Sequence, residues 1–125
     1  MVSLLKNGET VNLLIDQNVF WNEGVFVDFF GRKASMTSGL ALLALHTGSA
    51  VLPTFTSRLP NGKYSLEIGP KVDIINTDKR DADVLANTQK FAAIIEEQIK
   101  KHPEQWLWLH RRWKTKPWQV KRKKN

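Results

Sequence analysis

The sequence predicts an α/β fold, a small mixed β-sheet with packed helices. Three observations carry that expectation: an apolar run of strand length at residues 11–15, an Ala/Leu-rich run at 36–45, and two β-rich runs joined by Asn61-Gly62 ahead of a long segment of helical periodicity. The order strand, loop, helix, hairpin, helix describes half of an α/β sandwich, because so few elements leave one face or edge of the sheet uncovered.

Gly8, Glu9 and Thr10 form a turn signal, after which Val11, Leu13, Leu14 and Ile15 predict a buried strand ending at Asp16. Asp16 and Gln17 then fall at the carboxyl end of that strand, where open α/β sheets place functional side chains; the alternative is that Asp16 only caps a turn. Residues 18–24 read as a loop. Val25, Val27, Phe29 and Phe30 predict the next strand, closed by Gly31-Arg32. Phenylalanines so close together need cover, either in the core or along an apolar ligand groove. From Ser35 onward the pattern becomes a buried helix with hydroxyl residues at its start and Gly48 at its stop.

Residues 49–57 are β-rich, with Pro53 marking an edge, a bulge or a strand end. Residues 63–68 alternate with period two, and the Asn61-Gly62 turn makes the two runs a hairpin. A polar connection over 76–83 leads to Val84, Thr88, Phe91, Ala92, Ile95 and Ile99, spaced for one helix face, with Pro103 barring continuation beyond His102. Residues 104–114 read as a second short helix that puts Trp106, Leu109, His110 and Trp113 on one side. The expected organisation is one domain over 1–117 and a basic, disordered tail over 118–125.

The net charge of +7 is unevenly distributed. Residues 100–125 hold ten Lys or Arg and one acid, Glu104, whereas residues 1–99 hold nine bases and eleven acids. A near-neutral body with one cationic end argues against a general nucleic-acid-binding domain. Four of the five tryptophans, Trp106, Trp108, Trp113 and Trp118, lie in or beside that cationic end. Trp with Arg suits a surface that is apolar and anionic at once, which describes a membrane interface or a stacked nucleic acid. No apolar run approaches the roughly 20 residues of a membrane span, so membrane contact by these residues is expected to be peripheral. With no cysteine, disulfides and thiol chemistry are excluded, and the three histidines lack the usual partners of a structural zinc site.

A catalytic histidine needs an orienting acid. His46, His102 and His110 have Val51, Leu107 and Thr115 five positions on, so none carries an acid at that spacing. His46 reads as a helix-end or surface residue. His110, among arginines, is expected to stay neutral.

The string PEQWLWLHRRWKTKP at 103–117 closely resembles the C-terminal signature of the bacterial lipid A biosynthesis acyltransferases, within the lysophospholipid acyltransferase superfamily. LIDQ at 14–17, GVFVDFFG at 24–31, Thr37 with Gly39, and TGSAVLP at 47–53 resemble that family's blocks in the same order. The resemblance implies that the chain is the C-terminal half of an acyltransferase-type α/β sandwich. It also implies that the catalytic His-x-x-x-x-Asp/Glu pair lies in a missing N-terminal half, so no catalytic residue is expected here and the chain alone is expected to be inactive. The implied reaction moves a fatty acyl group from acyl carrier protein, with coenzyme A the other donor class, to a hydroxyl of the sugar-linked lipid A precursor. Its implied place is the cytoplasmic face of the inner membrane, with no metal or cofactor.

Carried over position by position, the resemblance makes Asp16, Gln17, Thr37, Arg111, Arg112 and Lys114 substrate-binding candidates. Phe29 and Phe30 become candidates for bordering an acyl groove, with core packing as their alternative, and Trp106, Trp108, Trp113 and Trp118 become membrane-interface residues. The competing readings are a non-enzymatic membrane- or nucleic-acid-binding module that uses the Trp/Arg stretch, and an inert α/β piece with a solubilising tail. Against nucleic acid, the body is slightly acidic and no aromatic-centred strand pair is visible.

Overall fold

The computed structural model describes residues 1–123, with side chains through Val120. Its elements are α1 (Val2–Lys6), β1 (Gly24–Phe29), β2 (Arg32–Thr37), α2 (Gly39–Thr47), β3 (Thr54–Arg58), β4 (Tyr64–Ile68) and α3 (Arg80–Lys101), followed by 3-10 turns at Pro103–Gln105 and Pro117–Lys123. The α/β class holds. The strands form two separate antiparallel hairpins, β1–β2 and β3–β4.

The β1–β2 hairpin is closed by Phe30 and Gly31, both at positive φ (49° and 71°), the geometry whose twist matches that of the flanking strands. Positive φ is unusual for an aromatic residue, and it persists here because three contacts hold Phe30. Its N–H donates to Glu96 Oε2 at 2.9 Å, and its ring meets Phe29 edge-on at 5.0 Å and tilts against Trp108 at 6.2 Å. Gly24 pairs with Thr37 across the same hairpin, and a Cβ there would collide with the Met36 carbonyl oxygen, so only glycine fits. The second strand of this pair lies where the sequence pattern predicted a helix start. Ala34, Ser35 and Met36 are all buried, so β2 is covered on both faces, and α2 begins only at Gly39, whose N–H donates to Thr37 Oγ1 at 3.2 Å.

Residues 11–15 correct a second expectation. They form no strand, and Leu14 is 88% exposed. Among the described residues no strand lies alongside to take up their backbone groups, which a buried strand requires. The β3–β4 hairpin forms as predicted, with Thr54 opposite Ile68 and Arg58 opposite Tyr64, and is shorter at its start. Residues before Thr54 still pair loosely, the N–H groups of Gly69 and Val72 donating to the Pro53 and Val51 carbonyls at 2.8 and 2.9 Å.

The long helix α3 packs across β1 and against α2, enclosing a core of Val27, Phe29, Met36, Val84, Phe91 and Ile99. Two-stranded sheets leave backbone groups that a third strand would otherwise satisfy, and amide side chains take that place. Gln89 of α3 accepts from the Asp28 N–H at 2.7 Å and donates to the Asp28 carbonyl at 2.9 Å. Fully buried Asn87 treats Ile75 the same way, both bonds at 2.8 Å, and donates also to the Asp83 carbonyl. Asp83 accepts from the Thr77 N–H and hydroxyl at 2.8 and 2.7 Å, which holds its carboxyl below the ordinary aspartate range.

The predicted helix over 104–114 is replaced by the 3-10 turn at Pro103–Gln105 and then a series of tight turns; Trp106 is extended at φ −90°, ψ 142°. Of the tail over 118–125, residues up to Lys123 belong to a 3-10 turn, and residues 124–125, on which the expectation of disorder also fell, lie outside the described residues.

Asn87→Ala is expected to lower the unfolding free energy by about 1–3 kcal/mol in urea denaturation, since it leaves part-buried backbone groups of Ile75 without their partner. Asp83 binds its proton less readily folded than unfolded, so its contribution to stability is present above the ordinary aspartate range and is lost as pH falls through the lowered folded value. Asp83→Asn should flatten the acid limb of a pH–stability curve.

Candidate functional site

The C-terminal stretch wraps back onto the β1–β2 hairpin, and Arg112 is its centre. This guanidinium is 1% exposed, donates through Nη1 to the Ser35 carbonyl, and lies 5.1 Å over the Phe29 ring. Burial pushes its pKa down to about 10, with the negative charge of Asp16 opposing that shift. Burial thus disfavours the charged form of this side chain. Among the described residues no carboxylate lies within 4 Å of it, and three buried polar atoms make no hydrogen bond: Arg112 Nε, Ser35 Oγ and Trp113 Nε1. All three belong to this junction.

Around Arg112 the aromatic residues form a continuous pack. Trp106 and Trp113 contact Phe29 at 5.8 and 5.7 Å, and Trp108 meets Trp106 edge-on at 4.8 Å while its indole N–H donates to the Pro103 carbonyl at 2.6 Å. Arg32 covers Trp113 at 5.1 Å. A second tie comes from Asn18. Its N–H donates to His110 Nε2 at 2.8 Å, its side chain exchanges two bonds with Thr115 at 3.0 and 3.1 Å, and Thr115 Oγ1 donates to the Val19 carbonyl at 2.9 Å. His110 therefore works as an acceptor that holds the chain together. Gln105 bonds both backbone groups of Arg58, fastening the stretch to β3.

Beside this pack, and sharing Trp106 with it, lies a groove of about 270 Å³. Leu13, Leu40, Val51, Phe91, Ile94 and Ile99 give it apolar walls, and Asp16, Gln98, His102, Gln105 and Trp106 supply its polar and aromatic edge. His102 stands 3.9 Å from Glu104, too far for the hydrogen bond that orients a general base.

The sequence-predicted residues divide accordingly. Asp16 is half-buried in the groove wall, and Gln17 is exposed. Thr37 spends its hydroxyl on the start of α2, Arg112 is interior, and Arg111 and Lys114 are exposed. Phe29 and Phe30 take the core role, the alternative weighed for them, and do not line the groove. Trp106 and Trp113 are half-buried, whereas Trp108 and Trp118 are exposed at 52% and 62%, Trp118 with Lys116 6.0 Å from its ring. Sequence reasoning missed Asn18, Ser35 and Gln105, polar residues whose partners lie 47 to 97 positions away. Among the described residues no cluster of three or more His, Asp or Glu is arranged to hold a metal, and no helix is long and apolar enough to cross a membrane.

The chain matches the family model for bacterial lipid A biosynthesis acyltransferases over residues 1–115. It is 34% identical over 119 residues to the lipid A biosynthesis palmitoleoyltransferase of Escherichia coli, covering 94% of this chain and 37% of that protein. It is 35% identical over 124 residues to the lauroyltransferase of the same organism, covering 94% of this chain and 38% of that one. A phosphatidylinositol mannoside acyltransferase of Mycobacterium tuberculosis is 34% identical over 109 residues, covering 87% of this chain and 32% of that protein. The chain belongs to the bacterial lipid A biosynthesis acyltransferase family. It spans a little over a third of the length of the curated relatives it matches.

Because the Arg112 charge is buried at a cost and makes one protein hydrogen bond, Arg112→Met should change the unfolding free energy by less than about 2 kcal/mol or raise it. Arg112→Ala, which removes the packing over Phe29, should cost about 2–4 kcal/mol. Guanidinium unfolding of the two variants measures the difference.

Proposed function

We propose that these residues form the acyl-receiving portion of an enzyme that transfers a fatty acyl group from acyl carrier protein to a hydroxyl of a sugar-linked lipid A precursor. The groove between α3 and the β3–β4 hairpin carries this reading. Its walls are Leu, Val, Ile and Phe side chains, which give a hydrocarbon chain the apolar surroundings that favour its transfer from water and offer a hydrated sugar little to bond. In the reaction the acceptor hydroxyl attacks the thioester carbonyl, a C–O bond forms and the C–S bond breaks, and the hydroxyl proton passes through a general base to the departing thiolate. That base is a His-x-x-x-x-Asp/Glu pair, a spacing these residues do not contain.

The residues present bind and orient. The groove holds the acyl chain, Asp16 stands in its wall, and exposed Arg111 and Lys114 meet phosphate groups of the acceptor. Arg112 acts from the interior by fixing the stretch that presents them. A lipid A acceptor is favoured over the mannoside named for the mycobacterial relative because the E. coli lipid A enzymes match more of the chain, 94% against 87%. The site of action is the cytoplasmic face of the inner membrane, where this portion makes peripheral contact.

The test is a graft. The purified chain alone should give no acyl transfer above a no-protein control. Placed where the matching segment of the E. coli palmitoleoyltransferase stands, it should restore transfer from acyl-acyl carrier protein to a lipid A precursor. In that graft Ile94→Trp, which fills the groove, should lower turnover with long acyl donors by at least about tenfold. Full turnover with the groove filled would sink the assignment of the acyl site.

A further inference from the structure

One surface is left unexplained by the groove and by the aromatic pack. Between the Trp106 and His110 anchors the chain turns sharply, with the Trp108 N–H donating to the Trp106 carbonyl at 2.9 Å and the His110 N–H to the Leu107 carbonyl at 3.1 Å. The anchors hold this turn from both sides, through the Trp108 indole bond to Pro103 and the Asn18 bond to His110. The result is a braced tip that directs apolar side chains into solvent: Leu107 is 66% exposed and Leu109 89% exposed, with Trp108 and Trp118 also open. Exposed Arg111 and Lys114 and half-buried Lys116 follow it, and residues 105–125 contain no Asp or Glu.

We propose that the Leu107-Trp108-Leu109 tip is a membrane-insertion loop that enters the interfacial region of an anionic bilayer, with Arg111 and Lys114 contacting lipid phosphates. Three features favour a lipid surface over the other occupants. A second copy of the chain would bring cations against cations, with no acid within the patch to offset them. A nucleic acid needs free aromatic faces, whereas Trp106 and Trp113 pack on Phe29, Lys116 stands over Trp118, and the most exposed side chain of the tip is a leucine, which does not stack on bases. Exposed Leu and Trp beside Arg and Lys match the two layers of a bilayer surface, acyl chains below and phosphates above. The sequence pattern had assigned the interface to four tryptophans. The fold withdraws Trp106 and Trp113 into the aromatic pack and puts two leucines forward.

This inference depends on the tip and not on the groove, so its test uses no turnover. The full chain is co-sedimented with phosphatidylcholine vesicles with and without phosphatidylglycerol. The parent should bind the phosphatidylglycerol vesicles preferentially and release with added salt. Leu107→Ser combined with Leu109→Ser should weaken partitioning about tenfold or more, because two leucines lose their place in the apolar layer. Arg111→Glu combined with Lys114→Glu should weaken it by a similar factor on anionic vesicles only. All four side chains are exposed, so both variants should keep the parent's thermal unfolding midpoint. Unchanged binding by the leucine variant, equal binding of the parent to both vesicle types, or no binding at all would overturn the proposal. So would a dimer in analytical ultracentrifugation that the leucine variant abolishes, or displacement from vesicles by an equimolar single-stranded oligonucleotide.

Discussion

The rest of the structure depends on the seating of one side chain, Arg112, between the Ser35 carbonyl, 77 positions away, and the Phe29 ring. Arg112 can reach β2 only if residues 103–116 fold back over the hairpin, and once there it covers the Phe29 ring and closes the outer face of Ser35. The tryptophans on either side then pack on Phe29 because the backbone has been brought to them. A buried guanidinium with one protein acceptor is costly, and a hydrophobic residue of similar size would serve the packing as well. The negative charge of Asp16, in the groove wall, acts against the penalty of burying the guanidinium.

The same constraint sorts the chemistry of the stretch into two directions. Inward-facing residues, Trp106, Arg112, Trp113 and Thr115, are structural. Outward-facing ones, Leu107, Trp108, Leu109, Arg111 and Lys114, are free to meet a lipid. Trp106 belongs both to the Phe29 pack and to the edge of the groove, so the proposed acyl site and the outward-facing residues are held by one stretch. In the reading proposed above, an enzyme drawing its acceptor from a membrane would use both at once.

Much of this was legible in the sequence, for physical reasons that differ by element. The helix α3 could be read because Val84, Thr88, Phe91, Ala92 and Ile99 repeat along one buried face, and the β3–β4 hairpin because Asn61-Gly62 specifies its turn. The strand β2 could not. Its Arg32, Lys33 and Ser35 look polar, yet Ser35 is fully buried and its carbonyl accepts from an arginine 77 positions away. Residues 11–15 failed in the opposite sense, since an apolar run becomes a strand only where a neighbour accepts its backbone groups. Residues 104–114 carry a helical spacing of aromatics, yet the demands of placing Arg112 on Ser35 and Trp108 on Pro103 break them into turns. At the candidate site the residue types could be read from the sequence, whereas the burial of Trp106, Arg112 and Trp113 could not. Charge and aromaticity can be read from composition, whereas direction is set by contacts such as Asn18 with Thr115.

The central claim is that residues 103–116 are a folded element fastened to the body, and amide hydrogen exchange of the purified chain tests it most directly. The Thr115 amide, bonded to Asn18 Oδ1, and the Asn18 amide, bonded to His110 Nε2, should exchange as slowly as the paired amides of the β1–β2 hairpin. Exchange at the rate of an unstructured peptide for those two amides, beside a protected hairpin, would contradict it.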